Sequence, residues 1–233
     1  MDSYRVICVD YPGRGGSSWL TEKSQYHNEQ YLRDSLQLLD HLDYDTLDWV
    51  GTSMGGLIGM GITSMPDNPI RKMVINDVGP FIPADALSLI GDYLGLHPRF
   101  EHLDQANEYY RTVYASFGAL EDHHYDHFVE HGVTSSKDGE HYVLNYDPEI
   151  IDQFTAIKPV DIDIWNIFDE ISTPLLILRG KKSQLLLPQT VEQMKYRHGN
   201  ALSVEFAGCG HAPSLMVDDQ ISCIRDWLLQ PDG

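Results

Sequence analysis

Two hydrophobic periods alternate along this chain. Short apolar runs at Tyr4-Arg5-Val6-Ile7-Cys8-Val9, Leu47 to Val50, Lys72 to Asn76, Pro174 to Leu178 and Leu202 to Phe206 read as strands. Between them the spacing becomes helical. Leu32, Leu36, Leu39 and Leu42 form one apolar stripe, which predicts a helix from about Asn28 to Leu42, and Val217, Ile221, Ile224 and Leu228 predict another at the end. Gly56 to Ile62 reads as a third, closed by Pro66. Strands alternating with helices in this way predict parallel pairing. From Pro80 to about Ser172 the pattern changes to several short helical stretches rich in tyrosine, histidine and acidic residues.

The strand ending at Val50 runs into Gly51-Thr52-Ser53-Met54-Gly55, and a helix follows at once. Strand, G-x-S-x-G, helix is the context of a nucleophile elbow, where a sharp turn exposes a strained serine. Glycines on both sides of Ser53 are expected because side chains there would clash where strand and helix approach. A serine hydroxyl needs a base. His211 stands in Gly208-Cys209-Gly210-His211-Ala212-Pro213, a Gly-rich loop just beyond the strand Leu202 to Phe206. A parallel sheet presents such a loop at the same end as the elbow.

With these landmarks the chain resembles the α/β-hydrolase fold family, and within it the bacterial esterase-like branch with a helical cap. The resemblance rests on Val9-Asp10-Tyr11-Pro12-Gly13-Arg14-Gly15-Gly16-Ser17-Ser18, the elbow, Val74-Ile75-Asn76-Asp77-Val78-Gly79-Pro80, the stretch Pro174 to Gly180, and His211, in order over nearly the whole chain. It implies an α/β fold with a mostly parallel sheet flanked by helices. Residues 1–79 and 173–233 form the core in two parts, and 80–172 form an inserted helical lid. It also implies a triad in the order serine, acid, histidine. The lid would cover Ser53, with Tyr93, Tyr109, Tyr110, Tyr114 and Phe117 either lining an apolar substrate pocket or forming the lid's own core.

The chain departs from the family pattern twice. Where the family carries Arg-Gly-x-x-Ser-Asp, with the aspartate as catalytic acid, this chain reads Arg179-Gly180-Lys181-Lys182-Ser183-Gln184. Gln184 can accept a hydrogen bond but brings no charge. Either Gln184 orients His211 in an impaired dyad or another carboxylate supplies the charge; the best replacement is Asp77, after the strand that follows the elbow helix, whose other reading is a cap on the following loop. The run Tyr4 to Val9 corresponds to the family's fourth strand. The chain is thus N-terminally abbreviated, without the His-Gly loop that supplies one oxyanion-hole amide. The Met54 N–H remains as an oxyanion donor, with the loop beginning at Tyr11 as the source of a second. The strand around Val6 is expected to pair directly with the one around Trp49, or another chain fills the slot, which makes a homo-oligomer through the abbreviated sheet the expected partner.

A formal net charge of −19 argues against nucleic-acid or anionic-membrane partners and would repel anionic substrates unless the site is locally different. Three cysteines, Cys8, Cys209 and Cys223, make no even disulfide framework and fit the cytoplasm. Lys181 and Lys182 read as solvated loop charges. His123, His127 and His131 share one helical face, read as a polar surface and not as a metal site, so neither metal nor cofactor is expected. The resulting expectation is a cofactor-free serine hydrolase of small carboxylic esters. The alternative is a hydrolase-fold binding or regulatory protein with little turnover.

Overall fold

Four parallel strands carry the centre of the molecule: β1 (Leu47–Thr52), β2 (Ile70–Asn76), β8 (Leu175–Gly180) and β9 (Leu202–Phe206), in the order β1-β2-β8-β9. The computed structural model describes residues 4–94, 96–151 and 158–231. Every residue of β8 is buried, as in strands covered on both faces. The pleat divides their side chains. Met73, Ile75, Leu175 and Ile177 join the cluster packed under α1 (Asn28–Leu42), α2 (Met54–Thr63) and the helix Pro188–His198. Val74, Leu176 and Leu178 face the opposite way, onto Phe206, Trp227 and Leu228, the last two from the helix Asp218–Leu228.

The chain leaves this core after β2 and returns at β8. The excursion is pinched at its base by a short antiparallel ribbon, β3 (Phe81–Ile82) with β7 (Ile162–Asp163). Beyond the ribbon lie α3 (Ala84–Leu94), α4 (Leu103–Val113) and α5 (Asp122–Gly132). A three-stranded sheet is built from β4 (Arg99–Phe100), β5 (Val133–Ser135) and β6 (Tyr142–Leu144). Tyr110 is buried in this region's own cluster with Phe100, Ala106, Tyr125 and Val129, and Tyr109 and Tyr114 pack against it. Phe117 stacks on Tyr114 with ring centroids 4.2 Å apart. These rings form the cap's core, not a pocket wall. The Tyr93 side chain lies outside the described part.

The N-terminal segment departs from expectation. Residues 4–10 run without strand pairing, and β1 is an edge strand whose one ladder is to β2. In place of a direct pair with Trp49 there is a cleft of about 590 Å³ between this segment, the end of α1 and β1. Both ends of the segment are anchored by side-chain or cap contacts and not by a strand ladder. At one end the Tyr4 hydroxyl donates to Asp48 at 2.7 Å and accepts from Arg71 at 3.1 Å. At the other, Gly13 and Gly15 are tied to the cap, Gly15 N–H donating to the Asn145 carbonyl at 3.0 Å and Asp147 N–H to that of Gly13 at 2.7 Å. The segment therefore lies along β1 without the ~4.8 Å ladder spacing of adjacent strands.

Candidate active site

Ser53 sits between the end of β1 and the first turn of α2, at φ 52°, ψ −115°. A non-glycine residue held there costs on the order of 1–3 kcal/mol, and the elbow is what fixes it. Gly51 is obligatory, since a Cβ there would lie 2.3 Å from the Gly55 carbonyl carbon. A Cβ on Gly56 would meet Val78 Cγ1 at 2.5 Å. Gly55 differs from expectation, because a Cβ at that position meets nothing within 4 Å. The tight approach therefore constrains Gly51 and Gly56. Gly55 contributes its backbone as the surface that Gly51 must clear.

The serine hydroxyl lies 3.1 Å from His211 Nε2, and His211 Nδ1 lies 2.9 Å from Asp77 Oδ2. Asp77 is fully buried and the His211 side chain is 18% exposed, so water reaches the imidazole but not the carboxylate. Asp77 adopts φ 55°, a left-handed geometry that Asp tolerates better than most residues. That turn carries its carboxylate off the end of β2 toward the histidine. Its other contacts come from the β8 side: Gly180 N–H donates to Oδ1 at 2.8 Å and Ser183 Oγ to Oδ2 at 2.6 Å. Gln184 is exposed, and no hydrogen bond joins it to His211. It lines a cavity of about 310 Å³ beside His211, together with Ala86, Leu89, Ile90, Ser116 and Lys182.

The histidine loop is held from two directions. From the core, buried Asn76 donates through Nδ2 to the Pro213 carbonyl at 2.9 Å. From the cap, Ser116 Oγ donates to the His211 carbonyl at 3.0 Å, and Gly210 N–H donates to the Ser116 carbonyl at 2.6 Å. The Asn76-Asp77 pair was visible in the sequence, but Asn76 as a clamp was not. Ser116 carried no sequence signal, because its partner is a carbonyl 95 residues away.

Met54 opens α2, so its N–H is among the four that a helix leaves without intrahelical partners. Within the loop beginning at Tyr11, most amides are already engaged. Pro12 has no N–H, and those of Gly13, Arg14, Gly15, Gly16 and Ser17 already donate within the loop or to the cap. Cys209 is buried, and burial pushes its thiol pKa up, with Asp219 and Asp77 adding to the effect. It is therefore no competing nucleophile. Among the described residues, the donor atoms of His127, Glu130 and His131 lie within 4.8 Å of one another, exposed on α5. His123 instead faces Glu121 at 3.5 Å. No helix among the described residues is long and apolar enough to cross a membrane.

Comparison with known proteins agrees with this geometry. The chain is 39% identical over 229 residues to a 3-hydroxybutyrate-oligomer hydrolase of Cupriavidus necator, covering 94% of this chain and 77% of that protein. A solved structure from Rickettsia typhi superposes with a TM-score of 0.88 at 34% identity, over 96% of this chain and 76% of that one. An α/β hydrolase from Novosphingobium aromaticivorans gives 0.82 at 28% identity, over 94% and 78%. The sequence model of the α/β hydrolase fold matches residues 2–215. On this evidence the chain belongs to the α/β-hydrolase fold family, as a hydrolase with ester-hydrolysing relatives.

Proposed function

We propose that this hydrolase cleaves small carboxylic esters through an acyl-enzyme on Ser53. The observation that carries the reading is the unbroken chain Ser53 Oγ, His211 Nε2, His211 Nδ1, Asp77 Oδ2, at 3.1 and 2.9 Å. His211 takes the serine proton as Oγ bonds to the ester carbonyl carbon. The tetrahedral oxyanion leans on the Met54 N–H, and the carbon–oxygen bond to the alcohol then breaks. His211 passes its proton to the departing alkoxide. Water attacks the acyl-serine by the same route in reverse, releasing the acid and restoring the hydroxyl. Asp77 fixes the imidazole tautomer and offsets the imidazolium charge, the role the family otherwise gives to the residue at the Gln184 position.

Esters suit this site better than amides, since alkoxides leave without the full protonation that amines need. The relative named for 3-hydroxybutyrate oligomers supports short hydroxyacid esters as the substrate class. Free Cys8, Cys209 and Cys223 fit a reducing compartment such as the cytoplasm. The alternative of a binding protein with little turnover leans on the missing acid at Gln184 and on the missing oxyanion strand, and Asp77 against His211 weakens the first of these. Labelling with a fluorophosphonate probe, together with turnover of p-nitrophenyl butyrate, tests the reading. Both should vanish in Ser53→Ala, and labelling that survives this change would refute the assignment.

A further inference from the structure

The cavity beside the triad has a charge character opposite to that of the molecule. The chain carries a net −19, yet no carboxylate lines this cavity. Its walls are apolar at Ala86, Leu89 and Ile90 and polar at Gln184, and Lys182 brings the positive charge. Among the described residues the Lys182 ammonium has no ion-pair or side-chain hydrogen-bond partner, unlike Lys23, Lys72 and Lys195. Its backbone is nevertheless fixed. Lys182 N–H donates to the Cys209 carbonyl at 2.8 Å, two residues before His211. The following turn is clamped by buried Arg179, whose Nε donates to the Leu186 carbonyl at 2.7 Å and whose Nη2 donates to that of Ser183 at 3.2 Å. An unpaired lysine on a rigid loop that lines a partly apolar cavity offers a cation to an anionic ligand group.

The cavity meets the triad at His211. His211 hands its proton to the leaving oxygen, so the alcohol half of the ester departs on that side. We infer that Lys182 selects esters whose leaving alcohol bears a carboxylate, so that the product released beside His211 is a hydroxycarboxylic acid. This rests on the acyl-enzyme reading above and adds a direction to it. An oligomer of hydroxyacids would be cut at its carboxylate end, one unit at a time. The apolar wall at Leu89 and Ile90 accepts a short alkyl branch, and the ammonium pairs with the carboxylate.

The test compares 3-butyryloxybutanoate with its neutral amide, 3-butyryloxybutanamide, by butyrate release. Both share one acyl group and one alkoxide, and they differ in the charge on the leaving half. The wild type should prefer the carboxylate in kcat/KM. The ratio should fall about fivefold in Lys182→Gln, the scale of a partly solvated ion pair, and further in Lys182→Glu. Raising salt to about 0.5 M should erode the wild-type ratio, since screening weakens exposed pairs. A ratio within twofold of wild type in both variants would overturn the inference. So would a charge effect confined to mono-p-nitrophenyl succinate, which carries its carboxylate on the acyl half. If the wild type neither labels at Ser53 nor turns over p-nitrophenyl butyrate, the acyl-enzyme reading fails, and this inference with it.

Discussion

Ser183 Oγ donates to Asp77 Oδ2 at 2.6 Å, the same oxygen that faces His211 Nδ1 at 2.9 Å. Ser183 also accepts from the amides of Leu185 and Leu186, both at 3.2 Å, so its hydroxyl is held by the loop it begins. In the family pattern the serine here precedes the acid. In this chain it holds a carboxylate that comes from a different strand. The carboxylate is thereby fixed in position before the imidazole acquires charge, which spares reorganisation during the reaction.

Asp77→Asn should therefore lower turnover by about 10²-fold or more, because an amide favours the wrong imidazole tautomer and offers no charge. Gln184→Asp should give no gain, since no hydrogen bond ties that side chain to His211. Steady-state kinetics on p-nitrophenyl butyrate separate the two, and a rise in Gln184→Asp would return the acid role to the later position. Ser183→Ala should cost less than Asp77→Asn, roughly tenfold in kcat, the scale of one charge-assisted hydrogen bond.

The elbow glycines should respond unequally. Gly51→Ala forces a methyl to within 2.3 Å of the Gly55 carbonyl carbon and should destabilise the fold by about 1–3 kcal/mol or more. Gly55→Ala meets open space on the first turn of a helix and should be neutral or stabilising by up to about 1 kcal/mol. Thermal or urea denaturation of the two variants checks the contrast. Equal losses would show that the elbow constrains both positions alike.

Most of the fold was legible in the sequence, as was the candidate pair Ser53 and His211, which the structure brings to 3.1 Å. The strand runs from Leu47, Lys72, Pro174 and Leu202 appear as the four parallel sheet strands, β2 and β8 nearly all buried and β1 and β9 only in part. Ser53 and His211 were legible because each sits on a glycine-rich turn after such a strand. Asp77 was one of two open choices. A carboxylate at a strand end looks the same whether it caps a turn or reaches an imidazole 134 residues away. The run Tyr4 to Val9 has the composition of a strand but forms no ladder, being hydrogen-bonded to β1, among the described residues, only through the Tyr4 side chain on Asp48. Lys182 read as a solvated charge because nothing in its neighbours in sequence shows the cavity it faces.

Acid should weaken the fold partly through His198. Burial lowers its pKa, opposed by its contact with the Thr173 carbonyl at 2.9 Å. A histidine whose folded pKa lies below its unfolded value binds fewer protons when folded. Stability is then full above the ordinary value of about 6.5 and declines as pH falls below it, until the folded pKa is passed. His198→Gln should flatten the part of the stability–pH curve just below the ordinary histidine value of about 6.5. Urea midpoints at several pH values report it, and an unchanged slope would assign the acid sensitivity to other groups.

The open edge of β1 should govern self-association. Val50 is 46% exposed on that strand, and Val9, across the cleft, is 47% exposed. An apolar edge with unpaired backbone is a template for a further strand, and a second copy of this chain offers one in the same edge. We expect concentration-dependent association in sedimentation or light-scattering measurements. Val50→Lys should suppress it, because a charged edge residue resists pairing and loses hydration when buried. Ester turnover serves as the internal check, since Val50 lies on β1 outside the Ser53, His211 and Asp77 contacts. A wild-type chain that stays monomeric at every concentration would show that the cleft is closed to partners. Association that Val50→Lys leaves unchanged would place the contact on another surface.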